Sequence, residues 1–561
     1  MSDMSAGRAV VELLKAEQVR HIFGIVGGTF LAVLDVLYDD RSVAYVDVRH
    51  EQGAAFMADG LARVSGLPAV CLVTAGPGAT NLLTGIAAAH VAHSPVVAIA
   101  GGPPLAHAHR DAFQEYDLVA MFAPVTKLSL RIDAPDRIPE LFRLAFRTAM
   151  SGRRGPVFLE VPRDVLDAPD VRADIVEPGR YRPLDAPPPA PGAIAEAVAV
   201  LRAARRPLVL AGGGVTWAGA NDRLQRLSAA HGLPTITAYG RNDAVPNDDP
   251  LYVGPLGRAG APEAAAACRR ADVLLVVGSR LGNFTTFYDD RYIVPGTRIV
   301  QIDVDSRDLG RIYPLAVGIQ ADAGLALAAL HEALGDGTPL TTEAWRAEAQ
   351  ELRARRQARL ATERSLASVP LKPQRVYAEL RAALPPETIV TLDAGAAPAY
   401  GYDRLHFARP RTFLTPLDLG GLGFAFPAAL GAKLGRPEAP VLAIHGDGGF
   451  LMNAQELETA VRHGINAVTL VMNNNAWGSE KAYQKHFYDG RYVGADIGNP
   501  RFDRLAELFG ARGFHVEHAD QVGDVVRAAL ACGKPAVIEI PIDPDEFPPP
   551  ATSARRRAPT A

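Results

Sequence analysis

Short apolar runs alternate with Ala-rich stretches of helical periodicity along most of the chain. The runs are short and rich in β-branched residues, and their alternation with helical stretches is the pattern of parallel α/β layers. In the first third the pattern predicts strands in VRHIFGIVG (19–27), VAYVDVRH (43–50), AVCLVTAGPGATN (69–81), PVVAIAGG (95–102) and PVFLEVP (156–162). Helices are predicted beside them at 52–65 and 81–89. A second set follows in PLVLAGGG (207–214), PTITAYG (234–240), VLLVVGS (273–279) and RIVQIDVD (298–305). A charged helical stretch at 343–365 leads to a third set: TIVTLDAG (388–395), PVLAIHGDG (440–448), NAVTLVMNN (466–474) and PAVIEIPID (535–543). The chain thus reads as α/β, with three doubly wound parallel-sheet domains at 1–170, 190–335 and 370–548 and a disordered tail at 549–561. Proline-dense 181–192 is the expected linker between the first two.

The start of the chain reads as a helix leading into a strand rather than as a signal peptide, and no apolar run is long enough to span a bilayer. At 561 residues the chain is too long for one core, which agrees with three units. A net charge of -4 gives no electrostatic case for nucleic acid or an anionic membrane surface. Cys71, Cys268 and Cys532 lie far apart, form no disulfide or metal pattern, and fit a reducing compartment, so a cytoplasmic location is expected.

Chemistry concentrates in AIHGDGGFLMNAQELETAVRHGINAVTLVMNNNAWGSEKA (443–482). Asp447 ends one predicted strand and Asn474 the next, and a helix at 453–464, closed by Gly464, connects them. In an open parallel sheet, ligands gather beyond the carboxyl ends of the strands. Gly446, Gly448 and Gly449 let backbone amides approach a phosphate at a helix start. A carboxylate, an amide oxygen and a backbone carbonyl form a hard donor set that suits Mg²⁺ or Ca²⁺ on a diphosphate, not zinc. Either residue alone is more often an Asx-turn. The pair at this spacing, flanked by glycines, favours metal and diphosphate.

GDGGF followed by NNNAWG resembles the metal–diphosphate signature of thiamine-diphosphate (ThDP) enzymes, and the chain is similar to their acetolactate synthase-like branch over nearly its full length. The resemblance implies ThDP as cofactor and Asp447, Asn474 and the carbonyl of Ala476 as ligands of Mg²⁺. It implies that Glu51, in DVRHEQGAAFMADG, bonds the pyrimidine nitrogen and relays the proton of thiazolium C2. It implies too that Leu422 wedges between the cofactor rings while the Gly420 carbonyl accepts from the amino group. The turn TAGPGATN, with Gly76 and Asn81, is expected near the cofactor, and Gln114 is expected to line the active site. Partners implied are a small-molecule substrate and a second copy of the chain, a homodimer or homotetramer with sites at the subunit interface. FAD is possible in the middle domain, where GSRLGNFTTFYDDRY (278–292) partly resembles the flavin-holding segment, although Gly212–Gly214 does not fit G-x-G-x-x-G.

The implied activity is carbon–carbon bond formation or cleavage on a 2-oxo acid or related carbonyl. WGSEK (477–481) is more similar to sulfoacetaldehyde acetyltransferases, and lyases or decarboxylases of 2-hydroxyacyl- or oxalyl-CoA share the branch. RDAFQEYDLVAMFAPVTK (110–127), with Gln114 and Lys127, resembles acetolactate synthase, while His107, His109 and Arg110 lie in a loop that could face substrate and are read as surface residues. A degenerate, non-catalytic nucleotide-binding paralogue would be marked by loss of Glu51, Asp447 or Asn474, and all three are present.

Overall fold

The computed structural model describes residues 2–183, 185–335 and 339–548, so the expected tail at 549–561 lies outside the described residues. Three six-stranded sheets organise the chain, and every neighbouring pair within them is parallel. The first runs, in space, Ala44–Asp47, His21–Gly24, Ala69–Val73, Val96–Gly102, Val157–Pro162, Ser129–Arg131. The third runs Phe413–Leu414, Ile389–Leu392, Val441–Gly446, Val468–Asn473, Ala536–Pro541, Arg512–His515. Numbered within each sheet in chain order, both read 2-1-3-4-6-5. The middle sheet, Tyr252–Pro255, Thr235–Thr237, Pro207–Ala211, Val273–Val277, Arg298–Asp303, Val317–Gln320, reads 3-2-1-4-5-6. That is the dinucleotide-fold order.

Central strands such as Ala69–Val73 and Val273–Val277 are buried at every position, because helices cover both faces. Alternate residues of the first sheet serve two cores. Val70, Leu72, Val97 and Ile99 face one, while Cys71, Val73 and Ala98 face another that also holds Val441, Ala443 and Val471 of the third sheet. The helices Glu51–Ser65 and Ala425–Gly435 cross inside this shared core. Their backbones nearly touch: a Cβ at Gly60 would lie 2.2 Å from the Ala428 carbonyl oxygen, and one at Gly431 only 1.9 Å from that of Met57. Arg63, paired with buried Asp59 at 2.6 Å, also donates to the Thr415 carbonyl at 2.6 Å and ties the two units.

The predicted strands all form, and those the pattern missed lie at sheet edges: Ser129–Arg131, Tyr252–Pro255, Val317–Gln320, Phe413–Leu414 and Arg512–His515. Edge strands are short and partly covered, so no apolar run announces them. A small antiparallel ladder, Ser2–Met4 with Val171–Ala173, was also unforeseen. The helix expected from 453 begins only at Glu456–Arg462, because Asn453 turns inward and donates to the Gly423 carbonyl at 2.9 Å. Gly464 does close it, with φ +63°. The proline-rich stretch is anchored by Arg182, which pairs with buried Glu17 at 2.8 Å, and a helix starts within it at Pro191–Arg202. Among the described residues, no helix is long and apolar enough to cross a membrane.

Candidate active site

Glu51 is the first residue of the helix after the strand Ala44–Asp47, and only 7% of it is exposed. Asn81 donates to its Oε2 at 3.0 Å. Asn81 comes from the helix Pro77–Ala92, which opens at Gly76 with φ +57° and proline at its start. A Cβ at Gly76 would sit 2.9 Å from Cβ of Gln114, so this turn and Gln114 lie against each other. Thr74 Oγ1 is 3.4 Å from Gln114 Oε1 and 3.1 Å from Thr29 Oγ1. Gly78 stands between Thr74 and Glu51: its Cβ would be 2.9 Å from the one and 3.5 Å from the other. Glu51, Gly76, Asn81 and Gln114 thus form one cluster at the carboxyl ends of the first sheet.

In the third sheet the strands Val441–Gly446 and Val468–Asn473 are direct neighbours, with Gly446 opposite Met472. This places Asp447 and Asn474 side by side. The Asn474 side-chain amide lies 3.1 Å from the Ala476 carbonyl oxygen and 3.3 Å from Asp447 Oδ1. Turned over, the same amide would donate to both oxygens. Asp447 Oδ2 accepts from Ala476 N at 3.2 Å and from Asn499 at 2.8 Å. Burial pushes the Asp447 carboxyl above its ordinary range, against hydrogen bonds from Gly448, Asn499 and Ala476. The glycines differ in their reasons. A Cβ at Gly446 would meet nothing, one at Gly448 would strike the Trp477 ring at 2.5 Å, and one at Gly449 would meet Asp393 at 2.7 Å.

Gly420, at φ +65°, and partly buried Leu422 lie on a loop beside this cluster. Asp393 holds the loop, accepting from Gly423 N at 3.0 Å and Phe424 N at 3.3 Å, and bonds His445 Nδ1 at 2.6 Å. Asp393 and Asp447 leave the sheet on either side of its topological switch point. Asp393, Gly395 and Gly420 line a small cavity of about 20 Å³ there. Sequence reasoning passed over Asp393, His445 and Asn499. The signal for the first was available, since TIVTLDAG ends a strand in the same Asp-to-Gly manner as the GDG segment.

Among the described residues no hydrogen bond links the two clusters: the side-chain partner of Glu51 is Asn81, while those of Asp447 are in 474–499. Lys127 is engaged elsewhere, donating to the Thr148 and Ser151 carbonyls at the end of the helix Ile138–Met150. His107, His109 and Arg110 are exposed, and Lys481 pairs with Asp496 at 2.6 Å.

The middle sheet carries a cavity of about 370 Å³ at its own switch point. Gly213, Gly214, Gly278, Arg280, Asp303 and Asp322 line it, with Arg153 from the first unit. Gly212–Gly214 is a strand-end turn, as expected, packed on the φ +62° residue Gly278: a Cβ there would lie 2.5 Å from Gly214 Cα.

Two sheets of one topology, each with a polar cluster at its strand ends, and a third of dinucleotide-binding order describe a cofactor-dependent α/β enzyme. The chain belongs to the thiamine pyrophosphate enzymes. Its residues 4–121 match the family's N-terminal TPP binding domain, 194–330 its central domain, and 393–540 its C-terminal TPP binding domain. It is 36% identical over 556 residues to the "Probable acetolactate synthase large subunit" of Methanocaldococcus jannaschii, covering 97% of this chain and 93% of that one. It is 35% identical over 565 residues to the "Sulfoacetaldehyde acetyltransferase" of Alcaligenes xylosoxydans xylosoxydans, covering 96% and 93%. With the "Acetolactate synthase isozyme 2 large subunit" of Escherichia coli K12 the identity is 33% over 542 residues, 96% of each. The chain is a ThDP-dependent, acetolactate synthase-like enzyme of the carboligase and lyase type.

Proposed function

We propose that the enzyme uses ThDP with Mg²⁺ to join or cleave a carbon–carbon bond on a 2-oxo acid or related carbonyl compound. The observation that carries the metal reading is the convergence of Asp447 Oδ1, the Asn474 side-chain amide and the Ala476 carbonyl, at 3.1 and 3.3 Å. Donor atoms ~3 Å apart would suit a small octahedral ion such as Mg²⁺, with ligands at ~2.1 Å. A buried carboxyl whose charge is costly without a partner fits the same reading.

In this reading the third sheet's cluster holds the metal and diphosphate, with the Gly446–Gly449 turn giving its backbone to the phosphates. ThDP, once bound, supplies a thiazolium carbon that attacks a carbonyl and afterwards holds the negative charge. Glu51 carries the proton that leaves and returns, and Asn81 orients its carboxylate. Leu422 and the Gly420 carbonyl would hold the cofactor, Gln114 would face substrate, and the middle cavity is where FAD or another nucleotide would sit. In this reading complete sites form between two chains of a homodimer or within a homotetramer, as the family resemblance implies, and the enzyme works in the cytoplasm.

A second reading, acetyl transfer from sulfoacetaldehyde, is favoured by the 35% identical relative of that name and by the segment WGSEK. Product analysis with ThDP and Mg²⁺ tests both. Acetolactate from pyruvate supports the first reading, and acetyl phosphate with sulfite released from sulfoacetaldehyde plus phosphate replaces it with the second. Products only from a 2-hydroxyacyl-CoA would overturn both. For the assembly, mixing Glu51→Gln with Asp447→Ala chains should restore about a quarter of parental activity at most, since half the dimers are mixed and each has one intact site.

A further inference from the structure

Glu456 begins the helix Glu456–Arg462, is completely buried, and takes no part in the clusters above. Its carboxylate reaches a point 407 residues earlier in the chain. Oε1 accepts from the backbone N–H of Arg49 at 3.1 Å and of His50 at 3.0 Å. Oε2 accepts from Arg49 N at 3.2 Å and from the Thr459 hydroxyl at 2.6 Å. Arg49 and His50 are the two residues before Glu51, and His50 is the N-cap of the helix that Glu51 opens. The first N–H groups of a helix have no partner inside it, and a negative charge beside them is favoured by the helix dipole. Burial pushes the Glu456 carboxyl up to about 7, the hydrogen bonds from Thr459, Arg49 and His50 opposing this only in part. The first turn leaves space for it: a Cβ at Gly53 would lie 2.7 Å from Glu456 Oε1 and 3.0 Å from its Cδ. The chain just before Glu456 carries Asp447 and also Asn453, which holds the Leu422 loop through the Gly423 carbonyl.

We propose that Glu456 is a positioning residue for Glu51. By clamping the backbone from which Glu51 departs, it fixes where the Glu51 carboxylate stands relative to the pyrimidine ring of bound ThDP. The inference rests on the reading of Glu51 as the proton-handling group. Glutamine at 456 keeps the size but offers one acceptor oxygen, and its NH₂ would face N–H and O–H donors, so the clamp loosens on one side.

The test uses the full-length enzyme with ThDP and Mg²⁺, measuring C2 hydrogen–deuterium exchange by quench NMR, ThDP affinity by calorimetry, and the thermal midpoint. Glu456→Gln should slow exchange on the order of 10-fold while ThDP affinity stays within about threefold. Gly53→Ala provides a second route, because it raises helix propensity yet pushes on the carboxylate. It should slow exchange without lowering the midpoint, a separation that a merely structural role would not produce. Glu51→Gln is the reference. If it is slow while Gly53→Ala and folded Glu456→Gln exchange at the parental rate, the positioning role is wrong. If Glu51→Gln itself exchanges at the parental rate, the reading of Glu51 has failed first and the proposal falls with it.

Discussion

The first and third sheets share the strand order 2-1-3-4-6-5, yet their equivalent positions carry different chemistry. In each, the third strand ends in a glycine turn. In the first sheet that turn, at Gly76, enters a 16-residue helix with no acid in its first turn, whereas in the third it presents Asp447. After the second strands stand Glu51 in the first sheet and the Leu422 loop in the third, and the helices that follow are the pair crossing in the shared core. The sixth strands match as well, with Glu160 in VFLEVP and Glu539 in AVIEIP. Glu539 accepts from Asn473 at 3.0 Å and from Phe502 N at 2.9 Å, while burial pushes Glu160 up to about 7, with Arg131 opposing only through space. One scaffold therefore fixes where functional groups can stand, and the side chains placed there decide what each half does.

The comparison breaks most visibly at Asp447. Asp447→Ala makes the third-sheet turn as uncharged as its first-sheet counterpart, and calorimetry with Mg²⁺ present should show ThDP affinity lower by roughly 10²-fold or more. Unchanged affinity would place the diphosphate elsewhere. Glu51→Gln addresses the other half. ThDP should still bind, but C2 exchange by NMR should slow on the order of 10²-fold, the loss expected of a general acid–base group.

The crossing between the equivalent helices is sharpened by Gly431→Ala, whose Cβ would meet the Met57 carbonyl oxygen. Thermal unfolding should register a loss of about 1–3 kcal/mol, as for an overpacked core. A midpoint equal to the parent's would mean that the helices have slack. The smallest effect is expected at Glu160. Its folded pKa, about 7, lies above the ordinary 4.5, so the folded state keeps a proton that the unfolded chain releases. The stability it contributes is present below pH 4.5 and is lost as pH rises through 7. Glu160→Gln should flatten that fall by about 2 kcal/mol or less between pH 5 and 8 in denaturant titrations. An identical pH profile in parent and variant would mean that water already relieves this carboxyl.

Much of the fold was legible because central parallel strands, buried on both faces, must be nearly all apolar. Ala69–Val73, Val273–Val277 and Val468–Asn473 announce themselves for that reason. Phe413–Leu414 and Arg512–His515 do not, since an edge strand meets one neighbour and its side chains need not be apolar. Among candidate site residues, Asp447 and Asn474 could be found because consecutive strands made them neighbours. Asn499 reaches the same cluster from a distant segment, and a linear pattern holds no trace of that.

The sequence by itself determined the three α/β units, the glycine turns that end their strands, and the residue types able to hold a metal and a diphosphate. These follow from local periodicity and backbone preference, which act over a few residues. Only the tertiary structure decided that the first and third sheets share one topology and one core. It alone brought the Asn474 amide against Asp447 and the Ala476 carbonyl, and carried the Glu456 carboxylate to the backbone before Glu51. Those arrangements come from long-range packing, in which a contact between residues hundreds of positions apart is set by the closure of whole layers and not by the residues' own neighbours.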